Sequence, residues 1–180
     1  MARDLLRAHG LDWKLCRRRR RRQYLHQGTP FGGRSKRGAF AHAIGRSRGG
    51  RTTKIHALTD ACGRPVALTL TPGNAHDLEG ARDLLALVVV PSRLIADRAY
   101  DANTLRDWLS QRGADAVIPP NPTRKHPHTW DADAYKSRNL IERMFCRLKD
   151  YRRVATRYDK LARNFLAGVF IAATVTWWLN

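Results

Sequence analysis

The stretch YKSRNLIERMFCRLKDYRR, Tyr135 to Arg153, decides how the rest of the chain is read. Tyr135, Arg138, Glu142 and Lys149 follow one another at i, i+3, i+7 and i+14. At roughly 100° per residue all four fall within an arc of about 60° on a helix, forming one polar stripe. Leu140, Ile141, Met144, Phe145 and Leu148 make a continuous apolar face beside it, and Lys136, Arg143 and Arg147 fill a third face with positive charge. Such a helix can pack on a core while offering one carboxylate at its edge among cations. Taken alone, a Glu flanked by Arg and Lys is most often a salt-bridged surface residue.

The pattern of Tyr, two residues, Arg, three residues, Glu, six residues and Lys is more specific. It resembles the YREK signature of DDE transposases of bacterial insertion sequences. The segments IGRSRGGRTTKIHALTD (44–60), IADRAYD (95–101) and RVATRYDKLARNFLA (153–167) are similar to those of the insertion sequence five group. The resemblance runs from Ile44 to Asn180 and stops before Ile44.

Working outward, 180 residues suffice for one domain with one core, and no internal repeat is visible. Lys and Arg outnumber Asp and Glu by 34 to 15, a formal +19, which points to a polyanionic partner, nucleic acid first. The excess is uneven: residues 1–54 hold 16 basic and 2 acidic residues, the other 126 hold 18 and 13. Six consecutive arginines, Arg17 to Arg22, lead into a Gly-rich basic stretch without apolar periodicity. Residues 1–50 are accordingly expected to be a basic, largely disordered arm, and 51–180 the DDE transposase catalytic-type domain.

Cys16, Cys62 and Cys146 are too scattered for a zinc site or a disulfide framework, which suits a reducing cytoplasm. The longest apolar run, Phe165 to Leu179, falls short of the roughly 20 residues that span a bilayer and is expected to be a buried helix. No signal peptide or membrane association is expected.

From Thr52, Thr53, Ile55 and Ala57 alternate with Thr52, Lys54 and His56, and Val66, Leu68 and Leu70 share a face after the turn-like Asp60-Ala-Cys-Gly63, predicting a β-hairpin. Asp77 is expected to cap a helix bearing Leu78, Ala81, Leu85 and Val88. Strand Arg93 to Asp97 leads to a helix capped by Asp101 and stopped by Gly113; strand Ala116 to Ile118 follows, then a Pro-rich basic loop through Trp130. Asp131 or Asp133 can cap the signature helix, and Lys160 to Leu179 forms the last helix, with Trp177 and Trp178 closing on the core. His56 and His76 could approach a phosphate, but a structural role is the stronger expectation for each.

The order β-β-helix-β-helix-β-helix-helix suits an α/β fold, a mixed sheet flanked by helices. The resemblance implies the RNase H-like fold, with its first strand missing or degenerate here. It also implies DNA transposition by metal-dependent strand cleavage and strand transfer on Mg²⁺ or Mn²⁺, ions that take oxygen ligands. Asp97 matches the second Asp of the family triad and Glu142 its Glu, both as metal ligands. Tyr135, Arg138 and Lys149 would contact DNA. The implied partners are double-stranded DNA, as transposon ends and target, and a second copy in a homodimer; the implied location is the bacterial cytoplasm, on the nucleoid.

The family's first Asp lies on a strand shortly before the IGRSRGG word, and here only Asp4 and Asp12 precede Ile44. Neither is expected on a strand, because the arginines after Asp12 would lack partners in a buried sheet. Asp60 and Asp77 have local roles as turn and cap. The chain is therefore expected to be catalytically incomplete, a truncated or frameshifted copy. The alternatives are a non-enzymatic nucleic-acid-binding protein and an inactive remnant.

Overall fold

The β-hairpin is the centre of the architecture. In a computed structural model, which describes residues 12–21, 42–47 and 50–179, β1 spans Asp12–Arg21, β2 Gly45–Ser47, β3 Gly50–Thr59 and β4 Pro65–Pro72. The turn between β3 and β4 is built by Asp60, whose carboxylate accepts the N–H groups of Cys62 and Arg64, each at 2.9 Å, and by Gly63 at φ +80°. After β4 come helix α1 (Asp77–Ala86), β5 (Arg93–Ala96), a 3-10 turn (Arg98–Tyr100) and α2 (Asn103–Ser110). Strand β6 (Asp115–Val117) precedes α3 (Ala132–Lys136), α4 (Asn139–Leu148), α5 (Arg152–Ala155) and α6 (Ala162–Trp177).

The six strands form one mixed sheet in the order β2-β3-β1-β5-β6, with β4 also paired to β3. β1 is antiparallel to β3, Lys14 to Arg21 facing Thr59 to Thr52, and parallel to β5, Asp12 to Leu15 facing Arg93 to Ala96. β3 is buried on both faces from Thr52 to Thr59 rather than on alternate residues. Ile55 and Ala57 join Leu68, Ile141, Met144, Phe145, Leu148, Phe165 and Val169 in one core. Leu58 points the other way, into a second core with Leu84, Leu94, Tyr100, Leu109 and Ile118.

Lys54, His56 and Thr53 of β3 are buried with partners, whereas the Thr59 hydroxyl has none among the described residues. Lys54 Nζ sits 2.8 Å from Asp77 Oδ1 and donates to the carbonyl of Ala75. His56, fully buried, lies 2.8 Å from Thr71 Oγ1 through Nε2 and 3.2 Å from Tyr100 Oη through Nδ1. Its role is structural, as expected. Arg157 donates to Thr53 Oγ1 and, at 2.6 Å, to His42 O, with its guanidinium 5.0 Å from the Phe165 ring centroid.

Five expectations need correction. The first strand is neither missing nor part of a loose arm: Asp12–Arg21 lies between β3 and β5. The expectation weighed side-chain burial, whereas ladder bonds are made by backbone groups, and two waiting strand edges can hold any non-proline sequence. Asp4 and the rest of the arm, residues 1–11, 22–41 and 48–49, lie outside the described residues.

Second, the signature stretch is not one helix. The chain tightens at Ser137 and Arg138, where Leu140 N bonds to Ser137 O and Ile141 N to Arg138 O. Ser137 Oγ also donates to Ala134 O at 2.7 Å, competing with the helical backbone bond. Third, His76 rather than Asp77 is the N-cap of α1, its side chain accepting from Leu78 N, because Asp77 turns inward to Lys54. Fourth, Asp101 does not cap α2, whose N-cap is Ala102: its carboxylate, 1% exposed, is taken by Arg106, Arg124 and the Asn121 N–H. Fifth, α6 is buried on one side alone. Phe165, Val169, Ala172 and Ala173 are inside, while Ile171 is 66% and Trp178 49% exposed. The expected Asp131 cap of the signature region is present, accepting from Ala134 N at 2.8 Å.

Candidate active site at the carboxyl ends of the central strands

β1 and β5 run parallel, and ligands of α/β sheets gather outside the carboxyl ends of such strands. Asp97 stands there. It ends β5 and caps the following 3-10 turn, its Oδ1 accepting from Ala99 N at 2.8 Å, which fixes a half-buried carboxylate at the strand end. Asp97, Arg98, Ala99, Pro119, Trp130 and Tyr135 line a cavity of about 430 Å³. Tyr135 stacks edge-on against Trp130, ring centroids 5.0 Å apart, and the Arg138 guanidinium lies 5.5 Å from the Tyr135 centroid. Arg138 in turn holds Glu142, Nη2 to Oε1 at 2.5 Å.

Of the residues singled out in the sequence, Asp97 and Tyr135 therefore share one cavity, and Arg138 and Glu142 continue from Tyr135 along α4. Lys149 follows the last residue of α4, half-buried, two turns beyond Glu142. The four apolar residues of α4 turned inward, Ile141, Met144, Phe145 and Leu148, are each at most 3% exposed. At about 1.5–3 kcal/mol for each buried side chain, they anchor the helix that carries Glu142 far more strongly than its exposed ion pair does. Among the described residues no group of three His, Cys, Asp or Glu side chains is placed to hold a metal ion.

The sequence motifs do not mark the cavity wall. Trp130 is part of it rather than merely the end of a loop, and a tryptophan in a polar, Pro-rich segment five residues before Tyr135 is the signal that points to it. Asp101 is more than a local turn residue. It fastens that loop: Oδ1 is 2.9 Å from Arg106 Nε, and Oδ2 is 3.0 Å from Arg124 Nε and 2.7 Å from Asn121 N. Burial pushes the Asp101 carboxyl up, but the Asn121 N–H and the Arg124 and Arg106 guanidiniums outweigh it and hold the group below the usual carboxylate range.

The register of β1 against β5 shows what stands beside Asp97. Leu15 pairs with Ala96, so Cys16 is the β1 residue level with Asp97, and Arg17 to Arg21 lie beyond it. Asp12 pairs with Arg93, four residues back, which at about 3.3 Å per residue puts it roughly 13 Å below the level of Asp97. Metal ions of a two-metal site stand about 3.5–4 Å apart, so Asp12 and Asp97 cannot share one.

A mixed sheet of this order, flanked by helices, is an RNase H-like fold. The chain belongs to the transposase DDE domain family, which it matches over residues 11–177. It is 42% identical over 127 residues to the protein assigned as transposase of insertion sequence element IS6501 of Brucella ovis, covering 70% of this chain and 98% of that protein. It is 30% identical over 121 residues to the corresponding IS402 protein of Burkholderia cepacia, covering 61% of this chain and 55% of that protein. In fold it is similar to a chain of the simian T-cell lymphotropic virus intasome solved with PP2A regulatory subunit B56 gamma. That likeness has a TM-score of 0.53 and 12% identity and covers 95% of this chain and 49% of the other. DNA transposition is the activity of the family, and its chemistry uses divalent metal ions. No helix among the described residues is long and apolar enough to cross a membrane.

Proposed function

We propose that this chain is an insertion-sequence transposase that keeps the DNA-binding frame but lacks the first carboxylate of its triad, so that it binds duplex DNA and cleaves it poorly or not at all. The observation that carries this is the β1 register: the residue level with Asp97 is Cys16, its neighbours toward the strand end are arginines, and Asp12 is about 13 Å away. In a complete site Asp97 and Glu142 would hold Mg²⁺ or Mn²⁺, and the metal pair would activate the attacking oxygen and stabilise the leaving one. Here the donor set does not fit. Asp97 supplies one partly engaged carboxylate, Glu142 is bound to Arg138, and no third ligand is present among the described residues.

What the chain's own residues can do is bind DNA. The formal +19 supplies the sequence-independent attraction to phosphates. Arg138 and Lys149 would hold backbone phosphates beside the cavity, and Tyr135 would brace Arg138 and face the strand, at transposon ends and at target. The setting is the bacterial nucleoid.

Purified protein incubated with supercoiled DNA and Mn²⁺ should give binding without nicking. Robust nicking abolished by Asp97→Ala would overturn the proposal and require another carboxylate in the site. Binding should weaken steeply with salt and be indifferent to Asp97→Ala and to chelation.

A further inference from the structure

The Asp97 carboxylate is carried on a turn too short to hold itself. Arg98–Tyr100 is a single 3-10 turn, closed by Tyr100 N on Asp97 O at 3.0 Å and by Asp101 N on Arg98 O at 3.1 Å. One such turn is marginal without side-chain support, because forming it fixes several dihedrals for very few hydrogen bonds. Asp97 and Ala99 are half-buried and Arg98 is exposed, so Tyr100, fully buried, is the member of the turn driven into the core. Its ring belongs to the cluster of Leu58, Leu84, Leu94 and Leu109, and its hydroxyl ends on His56.

His56 carries that contact onward to β4. Nδ1 lies 3.2 Å from Tyr100 Oη and Nε2 2.8 Å from Thr71 Oγ1, both pairs buried. In a neutral imidazole one nitrogen donates and the other accepts, so a single ring fixes the phenol and the threonine hydroxyl together. The ring has no room to shift toward α1, since a Cβ added at Gly80 would stand 2.4 Å from it, and glycine occupies that position although alanine is the better helix former. A buried polar chain whose members are paired specifies one geometry, where apolar packing alone tolerates several.

We propose that Tyr100 and His56 are positioning residues for Asp97. The chain Thr71–His56–Tyr100 ties the turn to β3 and β4, sets the height at which the backbone leaves β5, and so aims the carboxylate that Ala99 N holds at 2.8 Å. This rests on the reading of Asp97 as the carboxylate of the site. His56 thereby serves the site without touching it, through two other side chains. If the three polar groups did no more than satisfy one another inside the core, loosening them would have no preferential effect at Asp97.

The test is amide hydrogen exchange of the full chain, followed residue by residue by NMR. The Ala99 amide reports on Asp97 directly because it donates to that carboxylate, and the Leu94 and Ile95 amides report on β5 between β1 and β6. Asp97→Ala sets the upper limit of the acceleration at Ala99. Tyr100→Phe keeps the ring and removes the hydroxyl; it should speed exchange at Ala99 by about 10-fold, as loss of a buried hydrogen bond of about 1.4 kcal/mol would, with Leu94 and Ile95 within about twofold of the parent. Thr71→Val, at the far end of the chain, should act in the same direction by about threefold. Leu109→Val, in the same core but outside the chain, should leave the ratio of Ala99 to Ile95 rates unchanged. An Ala99 amide indifferent to Tyr100→Phe, or to Asp97→Ala, overturns the proposal, as does an equal acceleration in Leu109→Val. A silent Thr71→Val overturns the part assigned to His56. Exchange rates do not depend on whether the chain nicks DNA, so failure of this proposal and failure of the site reading are told apart.

Discussion

Replacing Asp101 by alanine tests whether the loop that forms the cavity wall is held by one buried carboxylate. Asp101 is 1% exposed and Arg106 8%, so the substitution strands a buried guanidinium that keeps just its bond to Ile118 O at 2.7 Å. Breaking a buried ion pair by removing one partner costs about 3–5 kcal/mol. Arg124, at 19% exposure and still bonded to Asn103, and Asn121, at the surface, can turn to water and add little. The low end, about 3 kcal/mol, is therefore expected, a large share of a typical total of roughly 5–15 kcal/mol. With a urea m value of about 2 kcal/mol/M, the midpoint should fall by about 1.5 M at unchanged m. Trypsin should also cut the folded variant faster after Arg124 and Lys125. Because the Asp101 carboxyl titrates below its ordinary value, its contribution is fully present above the unfolded pKa near 4 and is lost as pH falls through the lower folded value. The difference between parent and Asp101→Ala should thus shrink below about pH 4. A midpoint shift under about 0.3 M at pH 7, or a difference that persists at low pH, would refute the reasoning.

Gly80→Ala should destabilise by about 1–3 kcal/mol despite the better helix propensity of alanine, because a Cβ there would stand 2.4 Å from the His56 ring, which Thr71 and Tyr100 hold in place; a melting temperature equal to the parent would show that the ring can give way. Cys16→Asp, or Arg18→Asp on the same face of β1 one pleat further on, is expected to raise Mn²⁺ affinity in calorimetric titration, and unchanged affinity in both would count against the register argument. Deleting residues 1–44 should abolish cooperative unfolding rather than merely flatten the salt dependence of DNA binding, because it removes the strand joining β3 to β5; a deletion protein that melts cooperatively would show that the sheet closes without β1.

The sequence by itself determined the local elements whose signals are periodic or covalent in origin. The hairpin follows from alternation and from Asp60 and Gly63 in the turn, α4 from its apolar spacing, and the family from four separated motifs whose residue types and intervals recur together. It also determined that Asp97 ends a strand, since a carboxylate after Arg93-Leu-Ile-Ala is a strand-end signal. The tertiary structure decided what depends on which backbone edge or side chain is waiting nearby. β1 is a strand because β3 and β5 leave two edges to fill, a condition set by residues more than 30 positions away and invisible in an arginine run. Asp77 and Asp101 look like caps locally, but each is drawn to a buried cation, Lys54 and Arg106, whose unpaired charge would cost more than a cap returns. The lateral register, three residues of β1 aligned with Leu94 to Ala96, is what separates Asp12 from Asp97 and leaves Cys16 beside it. The sequence could report that few acidic residues precede Ile44, but strand register is a pairwise property, and it alone fixes which residue of β1 stands level with Asp97.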